Sequence, residues 1–158
     1  GFQLEVDIPE KPISMQFDQM QLKRVFENII TNSLKHNPGG TRVYVSLTQV
    51  RDEAVNDTAN NTTGSTAEHA GRGVRILIGD DGVGIPEQLR STVFEPFVVG
   101  DESRSTRQGT GLGLAIARKI VLAHHGTIRL LLPEETTYST MFEILLPVFH
   151  ISHPVLHK

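Results

Sequence analysis

The apolar residues of this chain keep one spacing, switch to another and switch back, and that change of period limits the fold more than any single residue does. A short alternating segment (Leu4, Val6, Ile8) comes first, and Asp18, followed three residues later by Gln21, then reads as a capping box. Leu22, Val25, Phe26, Ile29, Ile30 and Leu34 recur at helical spacing until Asn37-Pro38-Gly39-Gly40 stops the run. From Arg42 to Val50 the pattern is that of a strand, with Val43, Val45 and Leu47 set against polar neighbours, and it returns from Val74 to Ile78. A second long helix is predicted over Gly111–His125, with Leu112, Ala115, Ile116 and Ile120 on one face and Gly126 as its stop. Strands are expected at Thr127–Leu132 and Met141–Leu146. This order is not the strict alternation of a parallel α/β protein. It predicts an α+β layer, with helices on one face of a largely antiparallel sheet and no internal repeat.

At 158 residues and 38% hydrophobic composition the chain is long enough for one domain with a real core. It has no cysteine, which excludes disulfide scaffolds, thiol nucleophiles and Cys-based zinc sites and favours an intracellular setting. With 15 Lys+Arg against 18 Asp+Glu the formal charge is −3, and neither half carries a basic run. Broad binding to nucleic acid or to an anionic membrane is therefore not expected. No apolar run approaches the roughly 18 residues of a membrane helix, and no signal segment opens the chain. The chain begins without Met and enters an alternating segment at once, as expected of a piece cut from a longer protein, with Gly1 as a cloning remnant.

Arg51–Gly73 has almost nothing to bury and reads as a flexible hairpin insertion. Its Asn-x-Thr sequons at Asn56, Asn60 and Asn61 would matter only in a secreted protein. The domain is expected over residues 2–148, with 149–158 as a tail.

Three constellations could carry chemistry. On the first helix Asn28, Asn32 and Lys35 fall within about a 60° stripe away from the apolar face. Each Asn costs a helix roughly a few tenths of a kcal/mol relative to Ala, so a merely solvated face would favour Glu, Lys or Gln. Amide oxygens can serve Mg²⁺ as hard neutral ligands, and Lys35 can serve a phosphate. The second constellation, Gly79-Asp80-Asp81-Gly82-Val83-Gly84-Ile85-Pro86, sits just past a strand end. It places a carboxylate acceptor beside backbone that a flat ligand such as adenine can approach. The third, Gly109-Thr110-Gly111-Leu112-Gly113-Leu114, opens the second helix, where free N–H groups and the helix dipole favour phosphate. It is neither a dinucleotide fingerprint nor a Walker loop, because Leu stands at 114 and no Gly-Lys pair occurs. Read singly, each also admits a bland account as polar filler or glycine-rich turn.

In this order and spacing the chain resembles, from Leu4 to Pro147, the catalytic and ATP-binding domain of sensor histidine kinases. That domain belongs to the fold group shared with gyrase, heat-shock chaperone ATPases and mismatch-repair ATPases. The run from Phe26 to Pro38 is similar to the family's N box and Asp80–Pro86 to its first glycine box. Phe94-Glu-Pro-Phe97 matches the F box, and Gly109–Leu114 the second glycine box.

The resemblance implies a two-layer α/β sandwich, the Bergerat fold, with a mixed, mostly antiparallel sheet of about five strands and helices on one face. It implies ATP and Mg²⁺ as ligands. Asn28 and Asn32 would hold Mg²⁺ or order its water, Lys35 would meet a phosphate, and His36 would lie by the nucleotide. Asp80 would accept from the adenine amino group, while Gly82 and Gly84 would let the base approach. Ile85 and Phe97 would line the nucleotide; Val98–Gln108 would be a mobile lid with Arg104 reaching the γ-phosphate. Thr110, Gly111, Leu112 and Gly113 would present backbone to the phosphates. Asn28, Lys35 and Arg104 would be the catalytic set. The family's Tyr-Arg after Phe97 is Val98-Val99 here.

Relatives that activate a nucleophile directly place a Glu where this chain has Asn28; Glu27 is rotated about 100° away. That favours a histidine kinase, whose acceptor His lies on a separate dimerisation domain of a homodimeric parent and hands on to a response regulator. The resemblance also implies a cytoplasmic domain, free of direct membrane contact, on a membrane-anchored parent. A regulatory nucleotide-binding module without kinase activity, and a serine kinase or ATPase of the same fold, are the alternatives. None of the seven histidines matches an acceptor. His124 and His125 are expected to cap a helix, His69 lies in the insertion, and His150, His153 and His157 lie in the tail. The chain is expected to bind ATP without labelling itself.

Overall fold

A computed structural model describes residues 1–51, 72–98 and 111–148. The elements run β1 (Gln3–Asp7), α1 (Gln19–His36), β2 (Arg42–Arg51), β3 (Arg72–Asp80), a short α2 (Glu87–Arg90), α3 (Gly113–Ala123), β4 (Thr127–Leu130), a 3-10 turn (Pro133–Glu135) and β5 (Thr140–Pro147). They form one five-stranded sheet of order β1-β2-β3-β5-β4. Only β1 and β2 pair in parallel; the other neighbours are antiparallel, giving the mixed, mostly antiparallel sheet expected. Most of the insertion falls at 52–71, outside the described residues, as does the tail. Its two ends are neighbours in the sheet, with Arg51 opposite Arg72. Asp80 lies at the far end of the nine-residue β3 from that junction.

The helix signals translate directly into contacts. The Asp18 carboxylate accepts the Gln21 N–H at 3.0 Å, fixing the start of α1. Val25 and Ile29 on α1, and Ala117, Ile120 and Val121 on α3, then pack on Val74, Ile76 and Ile78 of β3 and Phe142, Ile144 and Leu146 of β5. These strand residues face one another in register, Ile76 beside Ile144 and Ile78 beside Phe142. Phe94 of the F box meets Phe142 edge to face at 5.8 Å between ring centroids, tying that segment to the core.

Three details depart from the sequence reading. The second helix starts two residues late, at Gly113, because Gly111 adopts a positive φ. Its end is a Schellman motif: Gly126 N–H donates to Val121 C=O and His125 N–H to Leu122 C=O. The left-handed residue is thus His125, with φ 59°, and Gly126 is needed for packing, since a Cβ there would lie 2.5 Å from the Leu145 carbonyl oxygen. His124 does act at the helix end, its Nδ1 lying 2.8 Å from the Ile120 carbonyl, with its ring stacked on Phe17. Finally, β1 lies in the sheet but outside the shelter of the helices. Leu4, Val6 and Ile8 are each more than half exposed.

On the opposite face of the sheet the buried Glu143 accepts from Arg75 on β3 and from Arg129 on β4, the latter at 2.7 Å. Arg129 continues to Glu135, so one charge ladder crosses three strands and pins the 3-10 turn.

Candidate nucleotide-binding site

One helix builds most of the site. The buried stripe of α1 runs from Val25 through Ile29 into Ser33, a polar residue that is only 4% exposed. A buried hydroxyl needs a partner, and the Ser33 Oγ donates to Asp80 Oδ2 at 2.7 Å. Asp80 ends β3 and is 1% exposed; its second oxygen accepts the Gly82 N–H at 3.1 Å. The ionised carboxylate can only accept, so the lone pairs left over select a donor such as an exocyclic amino group and reject a carbonyl.

Asp81, next in sequence, turns the other way. Its carboxylate accepts from the Arg42 backbone N–H and from Arg42 Nε, both at 2.7 Å. The Arg42 guanidinium hydrogen bond holds the Asp81 carboxyl below the usual range. Asn37, the C-cap of α1, reaches the same loop: its Oδ1 accepts the Val83 N–H at 2.9 Å, while its Nδ2 donates to the Ser33 carbonyl at 3.0 Å. Gly84 and Ile85 follow, half-buried.

The other side of α1 is built differently. Asn28 is half-buried, and its Nδ2 is shut off from solvent with no hydrogen-bond partner among the described residues. It faces the start of α3, where a Cβ on Gly113 would lie 3.7 Å from Asn28 Cγ and Oδ1. The N-cap there is Leu112, which supplies no side-chain hydrogen bond, so among the described residues the opening N–H groups of α3 have no side-chain cap. Asn32 is half-buried one turn on, and Lys35 and His36 are exposed.

The Phe97 N–H donates to the Gly111 carbonyl at 2.9 Å, joining the two ends of the 98–110 segment. The Phe97 ring is 74% exposed and its φ is 65°. Arg104 and Thr110 lie outside the described residues. Glu27 is exposed and paired with Lys23 at 3.6 Å.

Thus Asn28 meets Gly113, Asp80 meets α1, and Phe97 meets Gly111. Two residues were missed by the sequence reading. Ser33 carries a signal, as a hydroxyl on the buried face of an amphipathic helix; Asn37 lies in the N-box run and the helix stop, where its spacing assigns it no site role.

Among the described residues no three His, Cys, Asp or Glu side chains gather as a metal site. An amide without a partner beside an uncapped helix N-terminus nevertheless suits a polyphosphate with its counter-ion, the amide offering N–H to a phosphate or its oxygen to a cation. With Asp80 at the other end, the arrangement is one that a nucleotide could span.

The profile of the "Histidine kinase-, DNA gyrase B-, and HSP90-like ATPase" family matches residues 17–150, and the chain belongs to that family. It is 34% identical over 118 residues to the sensor protein GtcS of Aneurinibacillus migulanus, covering 75% of this chain and 26% of that protein. It is 37% identical over 123 residues to the sensor protein kinase WalK of Staphylococcus aureus, covering 77% and 25%. The chain thus spans about a quarter of the length of these relatives. The mycobacterial sensor histidine kinase MprB superimposes with a TM-score of 0.68 at 31% identity, over 93% of this chain and 84% of that one. The catalytic domain of histidine kinase ThkA shares the fold, with a TM-score of 0.65 at 21% identity over 93% and 80%. Within the family the chain is an ATP-binding catalytic domain of the sensor histidine kinase type.

Proposed function

We propose that this domain binds Mg-ATP with the base at Asp80 and the phosphates between Asn28 and α3, and transfers the γ-phosphoryl group to a histidine on a separate dimerisation domain of its parent chain. The observation that carries the reading is Asn28, its Nδ2 without a partner among the described residues and its side chain facing the first turn of α3, on the same helix that holds Asp80 through Ser33. A nucleotide lying along α1 would satisfy both ends.

In the transfer the bridging P–O bond to ADP breaks as a P–N bond to the imidazole forms. Asn28, Lys35 and the N–H groups of Gly111, Leu112 and Gly113 would orient the phosphates and offset their charge. Asn32 would share with Asn28 in holding Mg²⁺, which when bound neutralises developing phosphoryl charge. Gly82, Gly84, Ile85 and His36 would border the base and sugar, and Phe97 would border the nucleotide. Arg104 and Thr110 keep the roles the family motifs imply.

Glu27 is turned to solvent and paired with Lys23, so this helix offers no general base beside Asn28. That favours a histidine acceptor on another domain over direct activation of water or serine. The parent would be a homodimeric, membrane-anchored sensor with this domain in the cytoplasm, passing its phosphoryl group to a response regulator. No helix among the described residues is long and apolar enough to cross a membrane. The test is incubation with γ-labelled ATP, alone and with the parent's acceptor hairpin. Acid-labile label on the hairpin and none on this chain is expected. Stable histidine phosphate on this chain, or tight ATP binding with no transfer to the hairpin, would overturn the reading.

A further inference from the structure

We infer that Asn37 is a positioning residue for the nucleobase end of the site, and that it, more than the ligand, is why residue 82 must be glycine. The inference rests on the nucleotide reading above. Asn37 ends α1 in extended backbone, with φ −118° and ψ 151°, which directs its side chain across the loop that follows β3. Both ends of the amide are used, Oδ1 for the Val83 N–H and Nδ2 for the Ser33 carbonyl. It therefore links the backbone of the glycine-box loop to the backbone of the residue whose hydroxyl holds Asp80.

The same side chain fills the space above Gly82. A Cβ at 82 would lie 1.9 Å from Asn37 Oδ1, 2.2 Å from Cγ and 2.7 Å from Nδ2, so it could be accommodated only by driving the Asn37 amide out of its two hydrogen bonds. The Gly82 N–H in turn donates to Asp80 Oδ1. Asn37, Gly82 and Asp80 thus form one interlocked unit, with Asn37 holding the loop in the position from which the Gly82 N–H fixes the acceptor carboxylate. Truncating Asn37 frees the loop and blurs the carboxylate's aim, without touching Asn28 or α3.

Calorimetry on the full chain tests this with ATP and adenosine as ligands. Asn37→Ala is expected to weaken both by about tenfold, as two hydrogen bonds that hold the loop are lost together. A phosphate-side effect would spare adenosine. Gly82→Ala should abolish measurable binding in the unaltered chain yet cost no more than about threefold further in the Asn37→Ala background, since neighbours in contact are not additive. An Asn37→Ala affinity within twofold of the unaltered chain, or an equal Gly82→Ala penalty in both backgrounds, would overturn the inference while leaving ATP binding intact. Failure of the unaltered chain to bind ATP would overturn the nucleotide reading itself, and the inference with it.

Discussion

Asp80 and Asn28 both carry polar atoms shut off from water, yet both Asp80 oxygens are engaged whereas Asn28 Nδ2 has no partner among the described residues. Around Asp80, the hydrogen bonds of Ser33, Gly82, Asn37 and the Arg42–Asp81 pair hold the loop in place before any ligand arrives. Around Asn28 a helix end with no side-chain cap among the described residues adds to the unmet demand. A stranded buried donor costs about 1–3 kcal/mol, and that cost would be recovered when an acceptor such as a phosphate oxygen supplies the missing partner. On the proposed reading, the base end is preorganised for recognition and the phosphate end would be completed by its ligand.

Substitutions should separate the two ends by kind as well as by size. Ile29→Ala should have the largest effect, because Ile29 is fully buried on the helix that serves both ends. A loss of about 2–5 kcal/mol is expected in urea denaturation, and a loss below about 1 kcal/mol would show that α1 is not anchored as described. Asn28→Ala should weaken ATP by about tenfold and leave adenosine nearly unaffected. The ligand-free chain should melt no lower, because the substitution removes an unmet donor. Equal losses for ATP and adenosine would erase the distinction between the ends.

Acid should act weakly, and on the base end. The Arg42 hydrogen bond lowers the Asp81 carboxyl in the folded chain, so its stabilisation is full above the ordinary carboxylate value of about 3.9. It is lost as pH falls through the lowered value. Arg42→Gln should flatten this part of the acid limb in denaturant melts between about pH 6 and pH 2. Parallel curves for the two proteins would mean that the exposed pair contributes nothing measurable.

The elements were legible because their information is local. The period of α1, the Asp18 cap and the alternation of β2 and β3 each lie within a few residues, and packing agreed with them. The site motifs were legible as residue types in order, and the structure brings Asn28 against Gly113 and Asp80 against α1. Partnerships across long separations were not. Ser33 finds Asp80 47 residues away and Asn37 finds Val83 at 46, so neither contact leaves a trace in local spacing. The alternation of Leu4, Val6 and Ile8 gave the strand but not its exposure, which depends on where the helix layer ends. His125 took the left-handed position because the approach of Gly126 to β5 set the exit from α3, overriding the local preference for glycine.

The most direct test of the central claim, that an adenine nucleotide is read by a buried carboxylate at the end of β3, is calorimetric titration of ATP into folded Asp80→Asn. An amide there sets an NH₂ group against either the Ser33 hydroxyl or the Gly82 N–H and removes an acceptor from the base. The loss expected is about 1–3 kcal/mol, roughly ten- to a hundredfold in Kd. Unchanged affinity in a variant with native circular dichroism would contradict the account.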